Sequence, residues 1–274
     1  MTALAASKVD VREVIKTKVE GIWIPAHDES GHHYRHRDTG TLVDSVTTQL
    51  ILDKPHLIPW AVERGIEYVL ERRDLLEIEP EKLIKAAKFA FTAVRDDAGN
   101  IGTQAHGYIE EYVNSWIATG ERPVDIRTYI PEDSDGRVFA AARSAEKLFV
   151  DHGIVPIASE ILVGDEKVWA AGTLDLLAWH KGKLAVVDWK TSNQVGDDYA
   201  LQVAAYKYLF QRMTGLRILD CIIIKLSKDY ADVKMYDIPN QRAAYNAFLG
   251  VSKAYRWLKN GEKKLVERKN RITI

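Results

Sequence analysis

The stretch Gly172-Thr-Leu-Asp-Leu-Leu-Ala-Trp179, His180-Lys-Gly-Lys183, Leu184-Ala-Val-Val-Asp-Trp-Lys190 decides the fold. Two apolar runs flank a polar, glycine-containing turn, which is the pattern of a β-hairpin. Side chains alternate across a strand, so Asp188 and Lys190 share one face, Trp189 takes the other, and Asp175 sits on the neighbouring strand. Two carboxylates and an ammonium therefore end otherwise apolar strands. Burying such charges is costly unless they are paired or hold a metal, so their placement calls for a partner.

Outward from this hairpin the pattern predicts a helix over 137–152, strands over 154–163, 167–179 and 183–190, and a helix over 198–214. Two strands near 217–226 and 232–238 and a closing helix over 240–259 follow. Upstream, Gly102-Thr-Gln-Ala-His106 is expected to open a helix that runs through Tyr108, Ile109, Tyr112, Val113, Trp116 and Ile117 and stops at Gly120, with His106 near its first turn. Helices are also expected around 57–73 and, from Pro80, over 80–95. Residues 9–48 read as β structure, with 21–25 and 33–36 flanking an Asp28-Glu-Ser-Gly31 turn and Ser45 placed to cap a helix before Asp53-Lys-Pro55 interrupts it. The expected class is α/β, a central mixed sheet flanked by helices, with an N-terminal β-hairpin and helical extension over 1–98 and a core over 99–274.

Composition narrows the function classes. The chain has 274 residues, 46% hydrophobic and 28% charged, with a formal net charge of −1. That balance argues against a uniformly basic nucleic-acid binder, although a local basic surface such as Lys259 to Arg271 suffices for DNA contact. No apolar run is long enough to span a membrane and the start lacks a signal-peptide pattern, so an intracellular, cytoplasmic protein is expected. The single cysteine, Cys221, reads as a buried small hydrophobe and excludes internal disulfides and a four-cysteine cluster.

Asp175 and Asp188 are hard oxygen ligands suited to Mg²⁺ or Mn²⁺. Lys190 stands where an ammonium can orient an attacking water or stabilise developing charge, and its structural alternative is a salt bridge to Asp188. Glu160 falls at the end of the preceding strand. Gln202 and Tyr206 lie four apart on a predicted helix and share a face.

Gly172-x-x-Asp175, Asp188-x-Lys190 and Gln202-x-x-x-Tyr206, preceded by Gly102-Thr-x-x-His106, resemble the motifs of the RecB-like branch of the PD-(D/E)XK nuclease superfamily. Within it the run through Asp188-Trp-Lys-Thr-Ser192 and Leu201-Gln-Val-Ala-Ala-Tyr206 is similar to phage exonucleases and the mitochondrial genome maintenance exonuclease. The likeness is specific over residues 100–210 and extends loosely to Ser45-Val-Thr-Thr48, Lys54-Pro55 and Trp60. Leu174-Asp175 stands where the family name has Pro-Asp.

The resemblance implies a restriction-endonuclease-like core that cuts phosphodiester bonds with one or two Mg²⁺ or Mn²⁺ ions. His106, Asp175, Asp188 and the Trp189 backbone carbonyl match the metal ligands, Lys190 the catalytic lysine, and Glu160 a less constant acidic position. Gln202, Tyr206, Thr191 and Ser192 are expected on the substrate side. A histidine ligand favours Mn²⁺ at least as well as Mg²⁺, and the branch with an iron–sulfur cluster is disfavoured by the cysteine count. The implied partner is DNA with a free end, preferably single-stranded, in replication, recombination or repair, with a phage origin in a bacterial host among the settings. The alternatives are an endonuclease on the same site and a non-cutting DNA-binding partner.

Overall fold

A computed structural model describes residues 9–29, 31–50, 57–229 and 233–259. The expected interruption at Asp53-Lys-Pro55 and most of the basic tail lie outside the described residues.

The apolar runs around the hairpin become the centre of an eight-stranded mixed sheet. β1 (Trp23–Pro25), β2 (His33–His36) and β3 (Leu42–Ser45) form an antiparallel meander, and β3 joins the central strand β5 (Ala170–His180) in parallel. β4 (Ile154–Asp165) lies along the other edge of β5, and β6 (Lys183–Lys190) pairs antiparallel with the second half of β5. β7 (Asp220–Lys225) is parallel to β6, and β8 (Lys234–Asp237) is antiparallel to β7.

One edge of β5 is therefore shared by two strands. β3 holds Ala170 and Ala171 and β6 holds Leu176 to His180, which leaves residues 172–175 free of both ladders. The C-terminal ends of β3 and β6 run toward this gap from opposite directions, because one strand is parallel and the other antiparallel to β5. The gap falls on Gly172-Thr-Leu-Asp175.

Alternation along β6 sorts the two cores. Leu184 and Val186 join a cluster with Val203, Leu209 and Phe210 of α7 (Asp197–Thr214), with α8 (Gln241–Lys259) packed behind. Ala185, Val187 and Trp189 join the other cluster, built with α5 (Ala90–Thr119) and α6 (Gly136–His152). Helices thus cover both faces of the sheet, as a buried parallel or mixed sheet requires.

Three expectations are corrected. Residues 11–18 form α1 (Val11–Lys18) rather than strand, because Asp10 accepts from the backbone N–H groups of Arg12 and Glu13 while Val11 and Ile15, four apart, bury on one side. The helix expected over 80–95 breaks into α4 (Pro80–Ala87) and α5, since Phe89 N–H turns back to Ala86 O and its exposed side chain anchors nothing. Gly102 does not open a helix. It lies well inside the 30-residue α5, so His106 is a mid-helix residue.

α3 (Leu57–Glu71) packs with α4 and the start of α5 as an annex in which none of its 15 residues is buried. Ala61, Gly65, Ile66, Ile84 and Phe91 line an apolar groove there of about 480 Å³. The boundary expected at 98/99 falls within α5, and β1 to β3 belong to the same sheet as the core strands. Among the described residues no helix is long and apolar enough to cross a membrane.

The short helix α2 (Val46–Gln49) begins as expected at Ser45, whose Oγ accepts from Thr48 N–H at 2.8 Å. Replacing Ser45 by Ala is expected to cost about 1 kcal/mol, read as a lowered thermal midpoint; an unchanged midpoint contradicts the capping role.

Candidate active site

Three acidic residues form one row across three adjacent strands. In the β4–β5 ladder Ser159 pairs with Leu176 and Ile161 with Leu174, which sets Glu160 opposite Asp175. In the β5–β6 ladder Leu176 pairs with Val187, the last pair, so one position past the ladder's end Asp175 lies level with Asp188. Like charges directly opposite one another on neighbouring strands are destabilising. Glu160 also has a left-handed backbone, φ 48°, in the middle of a strand, a conformation that costs a non-glycine residue about 1–3 kcal/mol. A bulge between Pro156 and Ala158 precedes it and resets the register.

At this row β6 leaves β5. Trp189 N–H, which has no β5 carbonyl to reach, donates to Asp175 Oδ2 at 2.9 Å. The Trp189 ring faces the opposite way and packs edge-on to Phe149 at 5.6 Å. Lys190 Nζ lies 2.5 Å from Asp188 Oδ2. That oxygen is buried and makes no aligned hydrogen bond. From α7, Gln202 Nε2 donates to Asp188 Oδ1 at 3.4 Å and to the Tyr206 hydroxyl at 3.2 Å, using the two hydrogens of one amide.

Two glycines permit these approaches. A Cβ on Gly172 would stand 2.6 Å from Tyr206 Cε1, so the Tyr206 ring lies directly on the β5 backbone. A Cβ on Gly102 would stand 2.7 Å from Thr191 Oγ1, so α5 touches the end of β6 and brings His106, one turn later, toward Asp188 and Lys190.

Burial raises the pKa of Asp175, and that of Asp188 to about 6, against the lowering effect of Lys190. The Glu160 carboxyl is pushed up, by partial desolvation and by Asp175, Glu110 and Asp188, while part of its side chain still reaches solvent. Burial alone would depress the Lys190 ammonium, but Asp188 and Asp175 outweigh it and hold it above its ordinary value. His106 is driven down to about 4 by desolvation and then by Lys190, so its imidazole is neutral at pH 7.

The residues fit a divalent cation. Among the described residues the crowded carboxylates face one neighbouring ammonium, and Asp188 Oδ2 has that Lys190 ammonium alone as partner. Among the described residues no three His, Cys, Asp or Glu side chains already close into a cage. An Mg²⁺-type site needs none, since such ions take one or two carboxylates and complete their shell with water and phosphate.

The remaining expected residues are less central. Thr191 presses on Gly102, and Ser192 Oγ turns away to donate to Gln194 O at 2.7 Å. Sequence reasoning missed Tyr199, whose ring lies under Lys190 Nζ at 4.9 Å, and Tyr34, whose hydroxyl meets Thr173 Oγ1 at 3.2 Å. Tyr199 precedes Gln202 by three positions on α7, a spacing that signals the shared face. Tyr34 carries no such local signal, because β2 reaches the gap only through the sheet.

No curated protein matches the sequence. Among solved structures, the crystal structure of SSO0001 is similar at 12% identity over 58% of this chain and 77% of that one, with a TM-score of 0.29. The family model of the PD-(D/E)XK nuclease superfamily matches residues 73–266, a span that holds the whole row with its lysine. With more than half of its length matched and a mixed sheet flanked by helices beneath, the chain belongs to the PD-(D/E)XK nuclease superfamily.

Proposed function

We propose that the chain is a divalent-metal-dependent deoxyribonuclease of the RecB-like branch that degrades DNA from a free end, preferring single strands, in recombination or repair. The observation that carries this reading is the row Glu160, Asp175 and Asp188 beside Lys190, set in the gap on the β5 edge. Asp175 and Asp188, with His106 at their side, would hold the cation. When bound, Mg²⁺ or Mn²⁺ would lower the pKa of a nearby water and neutralise phosphate charge.

The chain's own residues do the positioning. Lys190 stays an ammonium, so it orients the attacking water and stabilises charge on the phosphoryl oxygens rather than removing a proton. Gln202 fixes the Asp188 rotamer and is itself held by Tyr206. Asp175 is fixed by the Trp189 peptide. The β1–β3 meander borders the gap on the β3 side and α5 touches the end of β6; the exonuclease reading itself is supported by the motif likeness to phage exonucleases.

End-labelled linear and closed circular single-stranded DNA, each incubated with Mg²⁺, Mn²⁺ or a chelator, test the reading. Linear DNA is expected to be degraded with either metal, at least as fast with Mn²⁺, and the circle to stay whole. Cutting of the circle makes the protein an endonuclease on the same site. Inertness toward both forms and toward duplex DNA with every metal ends the nuclease proposal.

A further inference from the structure

The histidines between β1 and β2 connect through Tyr34 to β5, the strand that carries Asp175. The His27 and His32 rings are exposed, with centroids 4.6 Å apart at a tilt of 52°. His27 also meets the Tyr34 ring edge-on at 5.4 Å. The Tyr34 hydroxyl reaches Thr173 Oγ1 at 3.2 Å, and Thr173 precedes Asp175 by two positions on the same face of β5. Tyr34 also senses Glu160. Three rings and one hydroxyl therefore link the exposed His32 to Thr173, two positions before Asp175.

The loop that carries these histidines is held from below. His33, which points the other way and is buried, lies 2.6 Å from Asp44 Oδ1 and 3.3 Å from Asp28 Oδ1, and Lys259 Nζ reaches the same Asp44 oxygen at 2.7 Å. The His32 carbonyl accepts from Ser45 N–H at 2.8 Å, and Ala26 N–H donates to His33 O at 2.9 Å. With the backbone next to His27 and His32 held by these hydrogen bonds, the two heterocycles are presented at little further cost in conformational entropy.

We infer that His27 and His32 form a stacking platform for a nucleobase of the strand entering the site, a few nucleotides from the scissile bond. The inference rests on the proposed nuclease function and adds the surface that grips the bases. Imidazole faces stack on bases without regard to sequence, which suits an enzyme that must accept any strand. Tyr34, beneath the platform, is a positioning residue that ties it to β5.

The test is fluorescence anisotropy with the full chain in chelator, comparing a labelled oligothymidylate with an oligonucleotide of the same length whose sugars carry no bases. The wild-type protein is expected to bind the base-bearing strand at least about five-fold more tightly. His27→Ala with His32→Ala should abolish that preference and leave affinity for the abasic strand unchanged, whereas His27→Phe with His32→Phe should retain it. A double alanine variant that keeps the preference, or a wild-type protein with none, overturns the platform. A parallel cleavage assay in Mn²⁺ separates the two levels: a wild-type protein that cuts DNA while lacking a base preference loses only the platform, and one that neither binds nor cuts DNA loses both readings.

Discussion

Lys190→Ala is expected to reduce cleavage of linear DNA by at least about a hundred-fold, and Asp188→Asn by about a thousand-fold. Their effects on stability should differ. Lys190→Ala leaves Asp188, with no exposed side-chain surface, without its cation, and an uncompensated buried charge is destabilising. Asp188→Asn removes the buried charge instead and relieves its crowding against Asp175, so the metal-free variant should unfold at or above the wild-type temperature. Thermal unfolding in chelator, paired with initial rates in Mn²⁺, reads both. A fully active protein of either kind removes Lys190 or Asp188 from the chemistry, and an Asp188→Asn protein that melts well below wild type contradicts the proposed crowding.

Gly172→Ala should damage both fold and activity. The new Cβ would meet the Tyr206 ring at 2.6 Å, and that ring, carried by α7 onto the β5 backbone, is itself buried. Overpacking of this kind costs about 1–3 kcal/mol. The displaced ring would also release Gln202 and, through it, Asp188. Because the collision is with a ring carbon, Tyr206→Phe should not rescue it, whereas Tyr206→Leu should. In a double-mutant cycle the Gly172→Ala penalty is expected to shrink in the Tyr206→Leu background. Additive penalties would show that Gly172 acts through something other than Tyr206.

The sheet and its carboxylates were legible in the sequence for different reasons. β4, β5, β6 and α7 announce themselves because their apolar period is set by a core on each side, and Asp188 and Lys190 interrupt that period at one strand end. The opposition of Glu160 to Asp175 was not legible, since it depends on the bulge at Pro156 and Ala158 and on one left-handed residue. Gly102 misled because glycine is a poor helix former, yet here contact with Thr191 requires it inside a helix. β3 lay within the stretch read as β structure, but its parallel join to β5, made by only two residue pairs far apart in the chain, was not legible. Asp28 and Asp44 flank His33, a pairing that spacing along the chain hides.

The length of α5 has a mechanical consequence. Its first turn forms part of the annex, where Phe91 meets Trp60 at 6.1 Å, and its middle carries both the Gly102 contact with β6 and His106. At 1.5 Å per residue, Ala90 lies about 18 Å from Gly102 and His106 about 6 Å beyond it. With Gly102 pressed on Thr191 as a fulcrum, the helix is a lever with arms in a ratio of about three to one. A displacement of about 1 Å at the annex end would reach His106 as roughly a third of an ångström in the opposite direction. The annex would thus act on the row as a fine adjustment, attenuating motion rather than amplifying it.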